Sequence, residues 1–460
     1  MSRASKASRP VVMQAEEIGV VAGLTHEGEG ILREGKTAFV AGSLPGERIR
    51  FRRAGRHKQH DDGVLLEVLE PAADRVTPRC AHFGLCGGCA LQHLDPESQI
   101  LAKQRELQNN LERIAQATPE EWFEPMRGPV WNYRRRARLG VRYVRKKGRV
   151  LVGFRERLAP YIAELKQCEV LSDPAGKLIT PLADMITTLS IRERLPQIEV
   201  AVADNAVALV IRVMEPPSEG DLETLRAFEA AHGLRLYLQP AGLDSVRRLD
   251  AGPAGRAEED PLNYRLPAFD LTLDFNPTDF IQVNGAINQA LVSRAVELLD
   301  PAPGSAVLDL YCGLGNFTLA LARRAGRVVG VEGDRELVRR GGENARRNGI
   351  SNAEFHMADL MQPLPGGTSW LASGASGEYP YVLLDPPRAG AREMLPTVAR
   401  LAPKRVLYIS CHPGSLARDI GLMIQEYGFK LRAAGVLDMF PHTNHVESLA
   451  VLEPARRARS

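Results

Sequence analysis

The chain has 460 residues with a formal net charge of +3, and 44% of them are hydrophobic and 25% charged. This length exceeds what one hydrophobic core usually organises, so we expect three domains. Because no apolar run approaches the roughly 20 residues that a membrane span needs, the sequence excludes a helical membrane protein and favours a cytoplasmic one. The first residues, MSRASKASRP, lack the apolar core of a signal peptide, so 1–13 are predicted to be a disordered tail.

The segment from Glu17 to Glu70 is punctuated like a series of short strands. Apolar and polar residues alternate in IGVVAGL, GILRE, KTAFV, RIRFRR and GVLLEVLE, with Gly, Pro and Asp between these runs. About five strands in so short a segment suit a small, partly open barrel of the OB type. The segment resembles a TRAM domain, an RNA-binding module, and we assign 14–72 to it.

Basic residues cluster in two runs. The first is GERIRFRRAGRHKQH, and the second, WNYRRRARLGVRYVRKKGR, interleaves arginines and Lys146 with Trp131, Tyr133 and Tyr143. Both runs suit phosphates, and the second also suits base stacking. Either run alone is more often a solvated strand face, but the two together favour a nucleic-acid partner. The basic residues are Arg48, Arg50, Arg52, Arg53, Arg56, Lys58, Arg134, Arg135, Arg136 and Lys146.

A cysteine-bearing loop opens the predicted central domain, 73–268. In PRCAHFGLCGGCALQH, Cys80, Cys86 and Cys89 lie among glycines, an arrangement typical of metal ligands rather than of disulfides in a reducing compartment. Cys168 could supply a fourth thiolate, which would suit an iron–sulfur cluster or zinc. For a zinc site, His82 or His93 could complete the set instead.

The rest of the central domain has mixed character. A helix is predicted from Pro96 to Ala115, and IEVAVADNAVALVIRV and LRLYLQ are predicted to be strands. From Asp270 onward, apolar strands (AVLDLYC, RVVGVEG, YVLLDPP, RVLYISC) alternate with helical patterns, which indicates a doubly wound parallel sheet in a C-terminal domain, 269–460. The Gly/Ser-rich stretch PLPGGTSWLASGASGEYP is predicted to be a surface connection.

A glycine-rich turn in the C-terminal domain is a candidate cofactor loop. In VLDLYCGLGNFTLALA, an apolar strand precedes Gly313 and Gly315, and a helix is predicted after Asn316, so the backbone can approach a ligand closely. Asp309 is expected to anchor the loop from the buried strand. Such a loop alone also fits a nicotinamide site or a plain tight turn.

Two acids follow the next strands. Glu332 ends RVVGVEG, where a carboxylate can accept both ribose hydroxyls of an adenosine-containing cofactor, and Asp359 in HMADLMQ could contact the adenine. Each acid alone would more often be a surface or capping carboxylate. Their recurrence at strand ends in this order is the pattern of class I methyltransferases.

The next strand leads to a motif that bears on the acceptor atom. YVLLD runs into Asp385-Pro-Pro-Arg388, whereas an aromatic residue usually follows the two prolines in methyltransferases that act on amino groups. Arginine at this position therefore argues against N-methylation. Carbon-5 of a pyrimidine is a poor nucleophile, so methylation there needs a second nucleophile that adds to carbon-6.

Cys411 is the candidate for that nucleophile. In ISCHPGSLARD it follows a strand and precedes Pro413 and a helix, where we expect an exposed thiol with a lowered pKa. The best candidate for the base that removes the carbon-5 proton is Glu447, on a predicted edge strand after a turn at Pro441, and His445 is the weaker one. A buried structural thiol and an exposed strand carboxylate are the ordinary alternatives, and for Cys312 the buried thiol is preferred.

The motifs together carry a specific resemblance. DFIQVN, LDLYCGLGNF, VEGD, LLDPPR, SCHPGSLARD and HVES resemble the signature series of the RNA uracil-5-methyltransferase family, and the N-terminal segments resemble those of its 23S ribosomal RNA members. The resemblance implies an α/β, class I (Rossmann-like) methyltransferase domain with an OB-like TRAM β-barrel and a central iron–sulfur domain. One departure is His412, where many relatives have asparagine.

The resemblance also implies cofactors and site residues. S-adenosylmethionine would be the methyl donor and 23S ribosomal RNA the substrate, with Cys411 as nucleophile and Glu447 as base; no protein partner is implied, so a monomer is expected. A [4Fe-4S] cluster would be bound by Cys80, Cys86, Cys89 and Cys168. The residues implied to bind S-adenosylmethionine are Gln282, Tyr311, Asn316, Glu332, Asp359 and Asp385.

Three alternatives remain open at the level of sequence. A sister enzyme would act on another ribosomal uridine or on transfer RNA. A radical methylthiotransferase would need C-x-x-x-C-x-x-C, whereas this chain has five residues and then two between its cysteines. A non-catalytic RNA-binding or ribosome assembly factor would keep the basic runs and lose the nucleophile, the base or the cofactor acids, all of which are present here.

Overall fold

The computed structural model describes residues 15–250, 260–362 and 378–455. The predicted N-terminal tail and most of the predicted Gly/Ser-rich connection lie outside these ranges. The chain divides into two compact units, of which the first contains 1–84, 89–98 and 442–444, and the second contains 85–88, 99–441 and 445–460. In the described ranges, no helix is long and apolar enough to cross a membrane.

The first unit is built on one six-stranded sheet. Its order is β1-β5-β6-β4-β3-β2, so six strands form where five were predicted. The difference arises because IGVVAGL divides at Val21, which exchanges backbone hydrogen bonds with Gly46 and Glu47 instead of continuing the first strand. The strands are β1 (Glu16–Val20), β2 (Gly23–Leu24), β3 (Glu29–Leu32), β4 (Ala38–Ala41), β5 (Arg48–Arg56) and β6 (Asp61–Glu70).

Strand β5 explains the first basic run. Ile49 and Phe51 are buried in the core of the unit, while the alternate residues are arginines on the opposite face. These arginines are paired with carboxylates of neighbouring strands, so the face is closer to electrical neutrality than its sequence suggests. The pairs on this face are Arg48–Glu70 at 3.1 Å, Arg50–Glu67 at 3.3 Å and Arg52–Glu16 at 3.5 Å. Arg53, which lies over the Phe51 ring, is paired with Glu17 at 2.9 Å.

The second unit contains a six-stranded sheet of order β13-β12-β11-β10-β8-β9. The predicted helix is confirmed as α1 with a π-helical turn at Leu111–Ala115, and the predicted central strands are confirmed as β10, β11 and β12. The elements are α1 (Pro96–Asn110), β7 (Glu121–Trp122), β8 (Arg136–Val144), β9 (Arg149–Gly153), α2 (Ile179–Thr188), β10 (Gln197–Val202), β11 (Val207–Arg212), α3 (Glu219–His232), β12 (Leu234–Gln239) and β13 (Arg247–Arg248).

An eight-stranded sheet of order β18-β17-β16-β19-β20-β22-β21-β7 forms the rest of this unit, together with a two-stranded hairpin, β14-β15. Strands β16 to β20 run parallel, which confirms the doubly wound prediction. The elements are β14 (Leu262–Leu266), β15 (Leu271–Phe275), α4 (Gly285–Leu299), β16 (Ala306–Leu310), α5 (Thr318–Ala322), β17 (Arg327–Glu332), α6 (Arg335–Arg347), β18 (Ala353–Met357), β19 (Tyr381–Leu384), α7 (Leu395–Leu401), β20 (Arg405–Ser410), α8 (Pro413–Gln425), β21 (Phe429–Leu437) and β22 (Glu447–Pro454).

Direction within the sheet decides where the functional residues meet. The five parallel strands end at one edge, and β22, which runs antiparallel to β20, begins at that same edge. Ligands of open α/β sheets bind outside the carboxyl ends of the strands. Residues that follow β16, β17, β18, β19 and β20 are therefore gathered with the first residue of β22.

One strand of the eight-stranded sheet comes from far upstream in the sequence. Strand β7 pairs in parallel with β21, with Glu121 opposite Ala433. The π-helical turn that ends α1 lies against α8, where a side chain on Gly421 would come within 3.2 Å of Ala115. Sequence periodicity gave no indication that β7 joins the sheet, because a two-residue strand carries no pattern.

Candidate active site

Cys411 lies one residue beyond β20 and two residues before α8, as predicted. Its thiol is half-buried rather than fully exposed. The strand before it is apolar and buried on both faces, since Val406 and Ile409 belong to opposite hydrophobic clusters. Such a strand fixes the position of the residue at its end, which suits a group that must meet a substrate atom precisely.

Glu447 is the neighbour of Cys411 across the strands. Ser410 of β20 is paired with Ser448 of β22, so the residues one step further along the antiparallel pair are Cys411 and Glu447. Glu447 is only 4% exposed. The prediction that Glu447 lies on an edge strand is wrong, because β22 is inserted between β20 and β21. Strands on both sides bury this carboxyl, whereas glutamate side chains are rarely buried so completely.

The surroundings of Cys411, Asp385 and Glu447 raise the pKa of all three side chains and so favour their protonated, neutral forms. Burial, followed by the nearby charges of Glu447 and Asp385, raises the pKa of the Cys411 thiol to about 11, although Arg388 opposes the shift. Burial also raises the pKa of Asp385 to about 7 and raises that of Glu447 well above its usual range. The expectation of a lowered thiol pKa at Cys411 is therefore wrong for the protein alone, because two acids and desolvation outweigh the adjacent helix.

A pH-dependent alkylation experiment tests this arrangement. A thiol whose pKa is raised from 9.0 to about 11 holds about a hundredfold less thiolate at pH 8. We therefore expect alkylation of Cys411 by iodoacetamide, followed by peptide mass spectrometry, to rise about tenfold per pH unit between pH 8 and 10. Glu447→Gln removes a negative charge and should shift this profile to lower pH. A wild-type rate that is already constant at pH 8 would contradict the assignment.

His445 is disfavoured as the base. Its Nδ1 lies 2.7 Å from Nη2 of Arg388, which can only donate, so Nδ1 accepts and is not available to take a proton. Burial, together with the positive charges of Arg388, Arg134 and Lys103, lowers the pKa of His445 to about 4. The imidazole is thus neutral near pH 7. Arg388, which replaces the aromatic residue of N-methyltransferases, is bound to this ring.

The structure gives a physical account of His412. This residue is the N-cap of α8, and its Nδ1 accepts the backbone N–H of Ser415 at 3.1 Å. Asparagine at the same position would cap the helix with its side-chain oxygen. The imidazole therefore caps the helix as the asparagine expected from the family resemblance would, and it fixes the start of the helix that follows Cys411.

Substitutions at His412 should separate capping from chemistry. We expect His412→Asn to keep both stability and methyl transfer near wild-type values, because it restores the usual cap. His412→Ala should lose about 0.5–2 kcal/mol of unfolding free energy, the usual cost of a missing N-cap. Urea denaturation measures both variants. Equal destabilisation by the two substitutions would contradict the capping role.

The candidate cofactor loop is held in an uncommon backbone conformation. Tyr311, directly after β16, has φ of +66°, and Gly313 and Gly315 have φ of +55° and +99°. The N–H groups of Tyr311 and Cys312 both donate to the carbonyl of Val331, at 2.8 and 3.1 Å. A non-glycine residue in the left-handed region is costly and is commonly found at functional sites.

Glu332 organises the neighbouring strand end. One carboxylate oxygen accepts the N–H of Gly313 at 3.0 Å, and the other accepts those of Gly333 and Asp334 at 2.8 and 3.1 Å. A side chain added at Gly313 would meet no atom within 4 Å, so the space above this glycine is open. An open, glycine-lined surface beside a fixed carboxylate suits an adenosine-containing ligand.

Asp309 anchors the loop from below, as expected. It is fully buried, and Thr318 Oγ1 donates to its Oδ2 at 2.6 Å. Burial is the main cause that raises its pKa to about 7. Cys312 is buried at 3% exposure, and burial raises the pKa of its thiol well above the usual value. Its assignment as a buried, structural thiol is confirmed.

The remaining predicted cofactor residues surround this loop. The Asn316 side-chain amide is bound by Asn288 and by the hydroxyl of Tyr264, which donates to Asn316 Oδ1 at 2.9 Å. Gln282 lines a small recess beside Tyr264 and Asn288. Neither Tyr264 nor Asn288 was predicted from sequence, and both hold the loop in place rather than presenting a new chemical group.

Asp359 lies beyond β18, where its Oδ1 accepts the N–H of Met361 at 2.9 Å. The Tyr311 hydroxyl donates to the carbonyl of Leu360 at 3.1 Å, so the loops after β16 and β18 are joined. Asp385 follows β19, and its N–H donates to Leu310. The structure therefore brings Tyr311, Asp359 and Asp385 to one edge, and their binding roles stay predictions.

Asp419 holds two segments of the candidate site together, and the sequence analysis did not assign it this role. It is fully buried in α8, and its Oδ2 accepts both the N–H of Ala391 at 2.8 Å and the hydroxyl of Tyr408 at 2.6 Å. A Cβ at Gly390 would lie 2.5 Å from this oxygen. Asp419 thus ties the loop after Asp385 to the helix after Cys411. Its position as the last residue of the motif SCHPGSLARD is the sequence feature that could have identified it.

The second basic run is only partly suited to nucleic acid. The prediction that Tyr133 stacks on a base is wrong, because its ring is 4% exposed and its hydroxyl donates to the carbonyl of Pro441 at 2.9 Å. The Arg136 side chain is only 16% exposed and lies 3.6 Å from the carboxylate of Glu199. The Tyr143 ring lies under the guanidinium of Arg192, at 5.3 Å.

Comparison with known proteins shows what this chain is similar to in fold and in sequence. The family model of tRNA (uracil-5-)-methyltransferases matches residues 260–455. A solved structure of Pyrococcus abyssi tRNA (uracil-54, C5)-methyltransferase in complex with S-adenosyl-L-homocysteine is similar in fold, with a TM-score of 0.71 and 24% identity, covering 95% of this chain and 100% of that one. The C-terminal domain therefore has the class I methyltransferase fold.

Two curated relatives are much more similar in sequence. The 23S rRNA (uracil(1939)-C(5))-methyltransferase RlmD of Alkalilimnicola ehrlichii is 48% identical over 434 residues, 94% of this chain and 95% of that protein. The protein of the same name from Methylococcus capsulatus is 47% identical over 443 residues, 96% of this chain and 98% of that protein. The chain thus belongs to the RlmD family of 23S rRNA (uracil-C(5))-methyltransferases.

Proposed function

We propose that this protein transfers a methyl group from S-adenosylmethionine to carbon-5 of a uridine in 23S ribosomal RNA, the position called 1939 in the names of its relatives. The observation that carries the proposal is the register of β20 and β22, which makes a thiol and a buried carboxyl neighbours at the edge that also bears the cofactor acids. A binding protein without catalysis would have no need of this pair.

The residues at the edge fit S-adenosylmethionine. Glu332 would accept the ribose hydroxyls, Asp359 would contact the adenine, and Gln282, Tyr311, Asn316 and Asp385 would complete the site. The open space over Gly313 and the strained backbone at Tyr311 support this fit. When bound, the cofactor supplies an electrophilic methyl group.

Cys411 would activate the base of the target uridine. Its thiol loses a proton, and the sulfur forms a bond to carbon-6, which places the electron pair of the carbon-5–carbon-6 bond on the enolate. Carbon-5 would then be nucleophilic enough to take the methyl group, as the bond between that methyl group and the sulfonium breaks and its electron pair stays on the sulfur. The raised pKa of the free thiol means that a proton acceptor or the bound RNA must favour the thiolate.

Glu447 would complete the cycle. Its carboxylate takes the proton from carbon-5, the carbon-5–carbon-6 double bond is restored, and sulfur leaves carbon-6 with the electron pair of the carbon–sulfur bond. Burial raises the pKa of Glu447, so its carboxylate, once ionised, is a stronger base than an exposed one. The neutral His445, bound to Arg388, would help to orient the uracil ring and would not take the carbon-5 proton.

The proposal includes a TRAM module for RNA at 14–72, a central domain at 73–268 and a [4Fe-4S] cluster held by Cys80, Cys86, Cys89 and Cys168. All four are thiols rather than disulfides. The N–H of Gly88 donates to Cys86 Sγ at 3.4 Å, a contact that stabilises a ligating thiolate. Cys86 and Cys168 both lie against one hydrophobic cluster of the second unit.

Metal analysis tests the cluster. Protein purified without oxygen should contain iron and acid-labile sulfide, and Cys168→Ala should lose both. Cys411→Ala is the matched control, because it removes a thiol outside the proposed ligand set and should keep the iron. Zinc without sulfide would overturn the iron–sulfur assignment and favour a zinc site.

The function itself is tested by methyl transfer. The purified protein, expected to be a monomer, is incubated with labelled S-adenosylmethionine and 23S RNA from a strain that lacks the modification. Label in 5-methyluridine at one position establishes the function and names the uridine. Transfer to transfer RNA alone would assign the protein to the sister activity, and binding without transfer to either RNA would identify a non-catalytic factor.

A further inference from the structure

A cleft of about 510 Å³ lies in the second unit, lined by residues that are not part of the candidate active site. It lies over the sheet formed by β8, β9 and β10. Its volume falls within the range of about 300–1,000 Å³ that is usual for ligand pockets. No step of the proposed reaction uses it, although its lining is rich in groups that bind anions.

One wall of the cleft is the face of the sheet. Arg138 and Gly140 lie two residues apart on β8 and so share a face, and their partners on β10 are Glu199 and Gln197. Arg138 is ion-paired to Glu199 at 2.9 Å, yet its side chain is 68% exposed. The wall therefore presents a cation that is held in place but accessible to a ligand.

The opposite wall is a chain reversal that follows β9. The N–H of Glu156 donates to Tyr161 and that of Ala163 donates to Phe154, both at 2.9 Å, so the segment folds back on itself. Arg155 and Arg157 alternate with Glu156 along it. Both arginines line the cleft, and the Phe154 side chain lines it as well.

A short backbone ladder closes the cleft on a third side. The N–H of Gly87 donates to Arg155 at 2.8 Å, and that of Arg157 donates to Leu85 at 2.9 Å. These bonds tie the main chain of the two arginines to the segment that bears Gly87. The wall that carries Arg155 and Arg157 is therefore joined by backbone hydrogen bonds to a second segment of the chain.

The chemistry of the lining selects an anion with a planar group. Three arginines outweigh the single acid among the lining residues, Glu156. Tyr161 and Leu158 are 69% and 85% exposed on the same reversal, so apolar surface adjoins the cations. Guanidinium groups bind phosphate in two-pronged fashion and stack on bases, and aromatic side chains stack on unpaired bases.

We propose that this cleft binds an unpaired nucleotide of the RNA substrate other than the target uridine, with its phosphate on Arg155 and Arg157. The inference rests on the proposed function, because it takes the substrate to be RNA. The site would raise affinity and fix the register of the RNA without touching the reacting atoms. It therefore affects binding of RNA and not the chemical step.

Charge reversal in the cleft tests this role. Arg155→Glu combined with Arg157→Glu should weaken RNA binding at least tenfold and raise KM for RNA similarly, with kcat at saturating RNA and the affinity for S-adenosylmethionine unchanged. The slope of log Kd against log salt concentration should fall by about 0.7 for each phosphate that the variant no longer neutralises. Arg346→Glu combined with Arg400→Glu, two exposed arginines of the same unit, is the matched control.

Cross-linking gives a second, independent readout. RNA that contains 4-thiouridine is irradiated with the wild-type protein and digested with trypsin, and we expect a cross-link on the peptide Leu158–Lys166, which contains Tyr161. If the reversed variant does not fold, Arg155→Gln combined with Arg157→Gln replaces it. Equal RNA affinity and salt dependence in cleft and control variants, with no cross-link on this peptide, would overturn the proposal.

The outcomes separate this inference from the proposed function. Wild-type protein that binds RNA without methylating it would overturn the function, while the cleft is still judged by binding and cross-linking. Wild-type protein that methylates RNA while the cleft variants behave as the control would overturn the cleft alone. Failure of the wild-type protein to bind 23S RNA would overturn both.

Discussion

Replacing Cys411 by alanine should abolish methyl transfer, with a fall in kcat on the order of 10⁴-fold or more, as expected when a covalent nucleophile is lost. Binding of S-adenosylmethionine should be unchanged, because the cofactor acids lie on other strands. Cys411→Ser should be nearly as inactive, since a hydroxyl is a far weaker nucleophile than a thiolate. The measurement is single-turnover transfer of labelled methyl groups to RNA.

Calorimetry with S-adenosylmethionine controls for loss of folding in the Cys411 variants. Arg400→Ala changes an exposed residue of α7. It should keep wild-type turnover and so shows that an alanine substitution elsewhere in the domain does not by itself reduce activity. Retention of more than about one-tenth of wild-type activity by Cys411→Ala is incompatible with covalent catalysis, where loss of the nucleophile costs several orders of magnitude. The thiol would then be a structural residue and another route to carbon-5 would be needed.

Replacing Glu447 by glutamine should trap the enzyme on its substrate. Glutamine has the shape of the carboxyl but cannot take the carbon-5 proton, so the methylated base should stay bonded to Cys411. Turnover should fall by about 10²–10⁴-fold, the usual contribution of a general base. Denaturing gel electrophoresis with labelled RNA should show a protein–RNA complex that approaches one equivalent.

The double variant Cys411→Ala/Glu447→Gln is the matched control, and it should form no such complex. His445→Gln should release its product, because His445 is neutral and its Nδ1 is already bound to Arg388. Accumulation of the complex in the His445 variant and not in the Glu447 variant would reverse the assignment of the base. Methyl transfer without any trapped complex in Glu447→Gln would show that another group removes the proton.

The sequence by itself determined the fold class of the C-terminal domain and most of the strand ends that carry candidate site residues. Glu332, Asp385 and Cys411 each terminate or follow an apolar run, and parallel strands necessarily gather such positions at one edge. Local order along the chain was therefore enough to place these residues together. The same periodicity predicted the helix α1 and the central strands.

Only the tertiary structure decided how β22 enters the sheet. A strand pattern indicates which residues share a face, but it indicates neither the direction of the strand in the sheet nor the strands beside it. Glu447 was therefore predicted on an edge strand, whereas it is buried beside Cys411. The thiol pKa followed from that placement, since burial and two nearby carboxyls act through space. His412 is the reverse case, because it departs from the residue that the family resemblance implies and its imidazole nevertheless caps the helix.

Pairing across the chain also changed the meaning of the basic runs. Whether an arginine faces a phosphate or an acid depends on the strand beside it, and β5 lies next to carboxylates while Tyr133 is buried against Pro441. The sequence determined that the chain carries cationic runs and a catalytic series. The sheet register decided which of those charges are paired with acids and that Cys411 and Glu447 are neighbours across two strands, because such contacts join residues that are distant along the chain.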